Sequence, residues 1–486
     1  MRLTLFLRCF LSLALLALAV PASTPAAEIA GKRPNIIFII TDDQGYGDFS
    51  CHGNPILKTP HMDRLHTEGV RFTDFLVSPT CAPTRSAIMT GRHEFRNGVT
   101  HTILERERLT PEAITLAQVL KSAGYATGIF GKWHLGDEPD YWPSKRGFDE
   151  MFIHGAGGIG QTYPGSCGDA PGNTYFNPAI LHNGKFVKTN GYCTDVFFGQ
   201  AIQWIDGRKG KQPFFAYIST NTPHTPLQVR EEDEKRYAGK VPPNVAKFFG
   251  MIANIDDNLG ILLDKLKEWD LERETLIIFV TDNGGTQGVP LFNAGLRGAK
   301  GSPWMGGIRA ASFWRWPGTL KPADVMPLTG HIDIFRTLAE IAGAKLNEKA
   351  DAQAEGRSLT PLLQDPQADW PERLWFTHVG RWPKGEPPAN YKYARCGVRS
   401  PRWHMVCDSP KGVKQWQLFD LKADPGQNND VAGQHPDVIQ KLETAYDQWW
   451  ASVQPQFVNE DAVGPKVNPF KELYWKQFGG GPQDGE

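Results

Sequence analysis

The chain has 486 residues, with 52 Lys and Arg against 53 Asp and Glu and a formal net charge of −1. That length can bury a large core and supports more than one domain. A near-neutral chain implies no polyelectrolyte partner, and with no basic stripe no nucleic acid is expected.

The N-terminus reads Arg2, an apolar run from Leu3 to Val20 interrupted by Arg8, then small residues to Ala27. A charged start, apolar middle and small-residue end form a secretory signal, assigned to residues 1–27 with cleavage near Ala22 or Ala27. Arg8 leaves an uninterrupted run of about 12 residues, short of the ~20 that a spanning helix needs. No later run is long enough to span a bilayer, so the chain is expected to be exported, periplasmic or secreted, without a membrane anchor.

Ile36–Ile40 is a continuous apolar run, as in a strand covered on both faces. Similar runs are Ala126–Phe130, Phe214–Ser219 and Leu276–Val280. Helical patterns lie between them at Pro60–Gly69, Leu116–Ala123, Asp195–Ile205 and Val245–Trp269. This alternation predicts an α/β domain over residues 28–370, with a large, mainly parallel sheet sandwiched by helices. Asp137–Tyr192, rich in Gly, Pro and Tyr, reads as long loops. Beyond residue 370, short strands at Leu374–His378, Ala394–Val398, Trp403–Val406 and Gln415–Asp420 precede an amphipathic helix, Asp437–Trp450. They predict a smaller C-terminal domain over residues 371–486, an antiparallel sheet plus a helix, with an irregular tail from Ala451.

Polar residues follow the apolar runs: Asp42-Asp43, Lys132 and His134, His224, and Asp282-Asn283. Ligands in open α/β sheets bind beyond the carboxyl ends of strands, so these groups are expected to share one crevice. Asp42, Asp43, Asp282 and Asn283 make an all-oxygen set suited to a hard cation, Ca²⁺ or Mg²⁺. Lys132 and His134 lie two apart and face one side of an extended segment. His224 sits in the stiff run Thr222-Pro223-His224-Thr225-Pro226, and Lys300 in the Gly-rich run Leu296–Ser302. In Pro79–Gly91 a cysteine, Cys81, precedes a helical pattern with Pro83 in its first turn. Arg85, four residues on, addresses the same volume.

The segment Pro79–Gly91, containing Cys81-Ala82-Pro83-Thr84-Arg85, resembles the type I sulfatase signature Cys-x-Pro-(Ser/Thr)-Arg. Gly124–Gly136 resembles the second signature of that family, and Asp42-Asp43, Asp282-Asn283, His224 and Lys300 occur in its order. The resemblance implies an alkaline phosphatase-like fold and hydrolysis of sulfate monoesters, of a sulfated glycan or an aryl sulfate. It further implies that a formylglycine-generating enzyme oxidises Cys81 to formylglycine, whose hydrate attacks sulfur. One Ca²⁺ would be bound by Asp42, Asp43, Asp282 and Asn283 together with the modified Cys81. Arg85 and Lys132 would hold the hydrate, His224 or Lys300 would protonate the leaving oxygen, and His134 would take the second hydroxyl proton. With Ca²⁺ in place the pocket would carry a net double positive charge, which calls for an anion. Two rival readings share these motifs: a phosphodiesterase or phosphonate monoester hydrolase of the same superfamily, and an inactive glycan-binding homologue.

Setting Cys81 aside, an exported chain permits disulfides, and Cys167–Cys193 and Cys396–Cys407 are the economical pairs, leaving Cys51 as a free, buried thiol. Arg297 and Arg309 are expected to be structural ion-pair partners. Trp142, Tyr163, Tyr175 and Trp382 are candidate platforms for sugar rings.

Overall fold

A computed structural model describes residues 28–163 and 167–481. The expected signal segment, residues 1–27, lies outside the described residues. The frame is a ten-stranded sheet in the order Ala323–Val325, Val70–Phe72, Ser312–Arg315, Thr275–Thr281, Asn35–Thr41, Phe214–Ser219, Ala126–Lys132, Glu150–His154, Ala179–His182 and Lys185–Lys188. From Thr275–Thr281 to Glu150–His154 the neighbours run parallel. Antiparallel pairings join strands on both sides of this parallel block.

The apolar runs are continuous because each face of the sheet has its own core. Ile36, Phe38 and Ile40 enter one core, and Ile37 and Ile39 enter the other. Leu276, Ile278 and Val280 divide in the same way from Ile277 and Phe279, as the two-residue period of a strand requires. Leu116–Ser122 and Asp333–Ile341 cover the first face, contributing Leu120, Phe335 and Leu338. The 26-residue helix Pro243–Glu268 covers the other, contributing Phe249, Ile252, Leu259 and Leu263. The five side chains Ile36–Ile40 are fully buried, worth on the order of 10 kcal/mol of gross transfer free energy.

Two segments differ from the sequence reading. Asp137–Tyr192 carries the strands Glu150–His154, Ala179–His182 and Lys185–Lys188. The last two form a hairpin across Asn183-Gly184, both at positive φ (48° and 86°), the combination that a tight type I′ turn needs. The hairpin is short and its outer strand polar, so no apolar run announces it. The tail is also more ordered than expected, with a helix at Pro469–Phe478 whose Asn468 side chain accepts from Phe470 N. Gln477 bonds both the N–H and the carbonyl of Phe186, which covers an otherwise open sheet edge.

The smaller sheet is antiparallel, in the order Trp375–His378, Cys396–Arg399, Trp403–Cys407 and Gln417–Asp420. The helix Pro436–Val453 packs Leu442, Tyr446 and Trp450 against Val398, Met405 and Leu418.

No disulfide joins the described cysteines, which corrects both expected pairs. Cys167 hydrogen-bonds the Thr102 carbonyl at 3.6 Å, whereas Cys193 opens the helix Cys193–Asp206 in the second core. Cys396 and Cys407 do face each other across the antiparallel register, but as thiols. The hydrogen bond from Cys396 brings the Cys407 thiol down to about 6.

Gly131, one residue before Lys132, has φ +111°, and a Cβ there would lie 2.0 Å from the Ser219 carbonyl oxygen. That oxygen is backbone of the neighbouring strand and cannot step aside. Gly131→Ala is therefore expected to lower unfolding free energy by more than about 2 kcal/mol, read from denaturant melts. An unchanged midpoint would contradict this packing.

Candidate active site

Four adjacent parallel strands deliver most of the site from their carboxyl ends. Thr41 and Thr281 are register partners, so Asp42-Asp43 and Asp282-Asn283 leave the sheet side by side. Asp282 N donates to Thr41 O at 3.1 Å, and Asp42 N to Thr222 O at 3.1 Å. Lys132 ends the next strand but one, and His224 follows the strand between them, Phe214–Ser219. Asp43 has φ +74°, a turn that keeps its carboxylate beside that of Asp282: Asp43 N donates to Asp282 Oδ1 at 3.1 Å.

Cys81 is the first residue of the helix Cys81–Thr90, every residue of which is buried. This brings a ligand atom each of Cys81, Asp42 and Asp282 within 4.8 Å of one another. Asp42, Asp43 and His224 form an adjoining set within the same limit. Three ion pairs tie the cations to the carboxylates: Lys132 Nζ to Asp42 Oδ2 at 2.5 Å, Arg85 to Asp282 Oδ2 at 2.9 Å, and Lys300 Nζ to Asp43 Oδ1 at 2.5 Å. Arg85 also donates to Ser219 Oγ. Asn283 Nδ2 donates to Asp43 Oδ1 at 3.0 Å.

His134 is buried, and its Nε2 donates to the Thr102 carbonyl at 2.8 Å. That bond fixes the tautomer and leaves Nδ1, which has no partner, as a proton acceptor. Burial, then the charge of Lys132, holds this imidazole well below its ordinary range, so it is neutral. His224 Nδ1 donates to Thr225 O at 2.6 Å, and its Nε2 lies 3.8 Å from Asp43. The side chains of His224 and Lys300 are 14% and 16% exposed, whereas those of Lys132, Asp42, Arg85 and Asp282 are at most 1% exposed. His224 and Lys300 thus form the mouth and the others the floor.

Burial would raise Asp42, but Lys132, His224, Arg85 and Lys300 together hold its carboxyl below the usual range. Burial likewise raises the Cys81 thiol, and Lys132 and Lys300 outweigh it. Asp282 goes the other way: burial and the neighbouring Asp42 charge push it well above the carboxylate range against Arg85. Asp42 Oδ1 and Asn283 Oδ1 are buried without hydrogen-bond partners. Hard oxygen donors left open in a buried acidic floor fit a hard divalent cation.

All ten residues singled out from the sequence lie in or beside this hollow, His134 near enough to feel the charges of Lys132, Arg85 and Asp42. The sequence reading missed His154, register partner of Lys132. It is buried with an unpartnered Nε2, and burial holds it at about 3. It also missed Ser219. The strand-end position of each was the available signal, hidden for His154 by reading its strand as loop. Three of the four aromatic platforms are corrected. Tyr175 is fully buried and donates to the His224 carbonyl at 2.9 Å. Trp382 is core, under Arg106, and Trp142 packs on Phe470 and bonds Asp137 O. Tyr163 alone of the four is exposed. Arg297 and Arg309 are held by aromatic faces and oxygens instead of carboxylates: Arg297 by Trp304 and Gln427 O, Arg309 by Tyr46 and Thr73 O.

Residues 34–344 match the Sulfatase family model. The chain belongs to the sulfatase family. It is accordingly a sulfuric ester hydrolase. Residues 305–450 of this sulfatase also match a family described as N-sulphoglucosamine sulphohydrolase, C-terminal. Human arylsulfatase A is 30% identical over 462 residues, covering 86% of this chain and 88% of the relative. An N-acetylgalactosamine-6-O-sulfatase of Bacteroides thetaiotaomicron is 30% identical over 497 residues, covering 85% and 92%. The solved structure of Ps i-CgsB in complex with k-i-k-neocarrahexaose has a TM-score of 0.77 and 27% identity, covering 91% of this chain and 97% of that one. A phosphonate monoester hydrolase of Agrobacterium radiobacter, at 19% identity and a TM-score of 0.59, shares the fold. Among the described residues no helix of this sulfatase is long and apolar enough to cross a membrane.

Proposed function

We propose that this sulfatase is exported and hydrolyses sulfate monoesters of a glycan, and of small aryl sulfates, through a formylglycine made from Cys81 and one bound Ca²⁺. The observation that carries the reading is the cluster of Cys81, Asp42 and Asp282 under three buried or half-buried cations. Residues 28–370 are read as the catalytic domain and 371–486 as a C-terminal subdomain. Export rests on the N-terminal pattern, and the modification requires a formylglycine-generating enzyme in the producing cell. The glycan class rests on the relatives: one is named an N-acetylgalactosamine-6-O-sulfatase, and another was solved in complex with k-i-k-neocarrahexaose.

The hydrated aldehyde supplies the oxygen that attacks sulfur. Asp42, Asp43, Asp282 and Asn283 would hold the Ca²⁺, which supplies positive charge toward the sulfuryl oxygens. The chain's own residues do the rest. Lys132 and Arg85 fix the Asp42 and Asp282 carboxylates in place. Asp282, whose carboxylate lies beside Cys81, is the acceptor for the nucleophile's proton. Lys300 or His224, both at the mouth, donates the one proton that the leaving ester oxygen takes up. His134 receives a proton at Nδ1 on the opposite, buried side. The pairing of each carboxylate with one cation leaves a seated divalent ion uncompensated, and a sulfate ester is the anion that balances it.

The test is a paired assay of an aryl sulfate and an aryl phosphate diester, followed by a panel of sulfated mono- and oligosaccharides. Peptide mass analysis of the Cys81 fragment accompanies it, on protein made in a host with the oxidising enzyme. The expected result is preference for the sulfate by at least about 100-fold in kcat/KM and loss of the Cys81 sulfur. Faster cleavage of the diester, or full retention of sulfur in active enzyme, would overturn the proposal.

A further inference from the structure

A second group of metal-binding side chains lies outside the acidic hollow. Cys51, His52 and His66 each offer one ligand atom, and these lie within 4.8 Å of one another. Cys51 and His52 belong to the short turn Ser50–His52, and His66 to the last turn of the helix Pro60–Glu68. We propose that these three residues form a site for a borderline-soft divalent metal, Zn²⁺, that clips this turn to the helix.

The donor set selects the ion. One thiolate and two imidazoles suit zinc and its neighbours and offer little to Ca²⁺ or Mg²⁺. Zn–S of about 2.3 Å and Zn–N of about 2.0 Å require donors about 3.3–3.6 Å apart in a tetrahedron, so closing a cluster whose donors lie within 4.8 Å needs side-chain movements of no more than about 1.5 Å. The surroundings are already arranged for it. His52 Nδ1 donates to the Tyr46 carbonyl at 2.7 Å, the kind of outer contact that fixes the tautomer of a metal-binding histidine and leaves Nε2 with its lone pair. Tyr46 stacks on the same ring at 4.0 Å. The rings of His52 and His66 meet edge to face at 5.7 Å, with Phe313 packed against both.

Asp63, one turn before His66 on the same helix, holds the opposite side of the clip. Its carboxylate accepts from Cys51 N at 3.0 Å and from Ser50 Oγ at 2.6 Å. The backbone of Cys51 is thus tied to the helix that carries His66 before any ion arrives. All three ligands are partly exposed, Cys51 against the expectation of a buried thiol because its turn lies at the surface, so an ion has a path in, and solvent supplies the fourth position. Binding breaks the Cys51 S–H bond, forms S–Zn and releases one proton, with no change of oxidation state.

The experiment uses the full chain carrying Cys81→Ala, which removes the other thiol that lies beside carboxylates. Cobalt(II) is the probe, and zinc then competes for its site. The expected result is one equivalent of cobalt with tetrahedral visible bands and a thiolate-to-cobalt charge-transfer band, displaced by zinc. Cys51→Ala should abolish that band, and His66→Ala should weaken cobalt binding at least about tenfold. Zinc should raise the melting temperature of the parent but not of either variant. Should Cys51→Ala fail to fold, His66→Ala still decides. Absence of the thiolate band, its survival in Cys51→Ala, or unchanged cobalt affinity in His66→Ala would overturn the proposal.

Discussion

Cys81→Ser is expected to reduce kcat/KM on an aryl sulfate by about 10⁴-fold or more while leaving the melting temperature within a few degrees of the parent. Serine is nearly isosteric with cysteine, and the Cys81 site is 2% exposed, so no cavity of consequence opens. What changes is the chemistry. The reading requires an aldehyde carbon whose hydrate carries two oxygens, one to take the sulfuryl group and one to expel it. A plain hydroxyl could at best accept the group once. Cys81→Ala, which cannot be oxidised to an aldehyde, should match the serine variant in steady-state turnover. The helix Cys81–Thr90 gives a control for folding: its residues are buried on all sides, so displacement of the helix would show as a large loss of melting temperature. Near-normal turnover by the serine variant, with its peptide mass confirming an unaltered serine, would remove the nucleophile from the mechanism.

What could be read from the sequence followed a physical rule. Ile36–Ile40, Phe214–Ser219 and Leu276–Val280 stood out because strands covered on both faces must be apolar at every position. The polar residues that follow them then had only one place to go, the carboxyl edge of a parallel sheet. Asp42, Lys132, His224 and Asp282 were legible as a group for that reason. Elements whose identity depends on a distant partner were not. The hairpin at Asn183-Gly184 has a local turn signal but half-polar strands, and it is stabilised by joining an existing sheet edge. The helix Pro469–Phe478 is short and places only Phe470 fully in the core. His154 became visible only when its strand registered beside Lys132. Aromatic residues misled in the opposite sense. Tyr175 and Trp382 look like surface platforms in a Gly- and Pro-rich context, but rings of that area favour burial where a partner, an acceptor for the polar tip or a cation for the face, is at hand. For Tyr175 that partner is the His224 carbonyl, and for Trp382 it is the Arg106 guanidinium.

Removal of the divalent ion is expected to be nearly as damaging as loss of Cys81. Exhaustive chelation should lower kcat/KM by at least about 10³-fold, several kcal/mol of transition-state stabilisation, and added Ca²⁺ should restore it. The charge pattern explains why the protein should survive the treatment. Asp42, Asp43 and Asp282 each retain a cation, Lys132, Lys300 and Arg85 respectively, so the ion-free pocket is balanced and can stay folded. That same balance deprives it of the excess positive charge that a sulfate ester needs. Asp43→Asn separates the two effects. It keeps the shape of the side chain but withdraws the charge that faces Lys300 and His224, and should weaken Ca²⁺ binding by about 100-fold. A Ca²⁺ concentration 100 times the dissociation constant stabilises a protein by about 2.7 kcal/mol. The parent should therefore melt several degrees higher with Ca²⁺ than without, and Asp43→Asn should lose most of that rise at the same concentration. Because Lys300 is left facing a neutral amide, the variant's ion-free form should also melt below that of the parent. Full activity after chelation, together with a melting temperature indifferent to Ca²⁺, would mean that the buried oxygens of Asp42 and Asn283 are open for some other reason and that the hollow works without a metal.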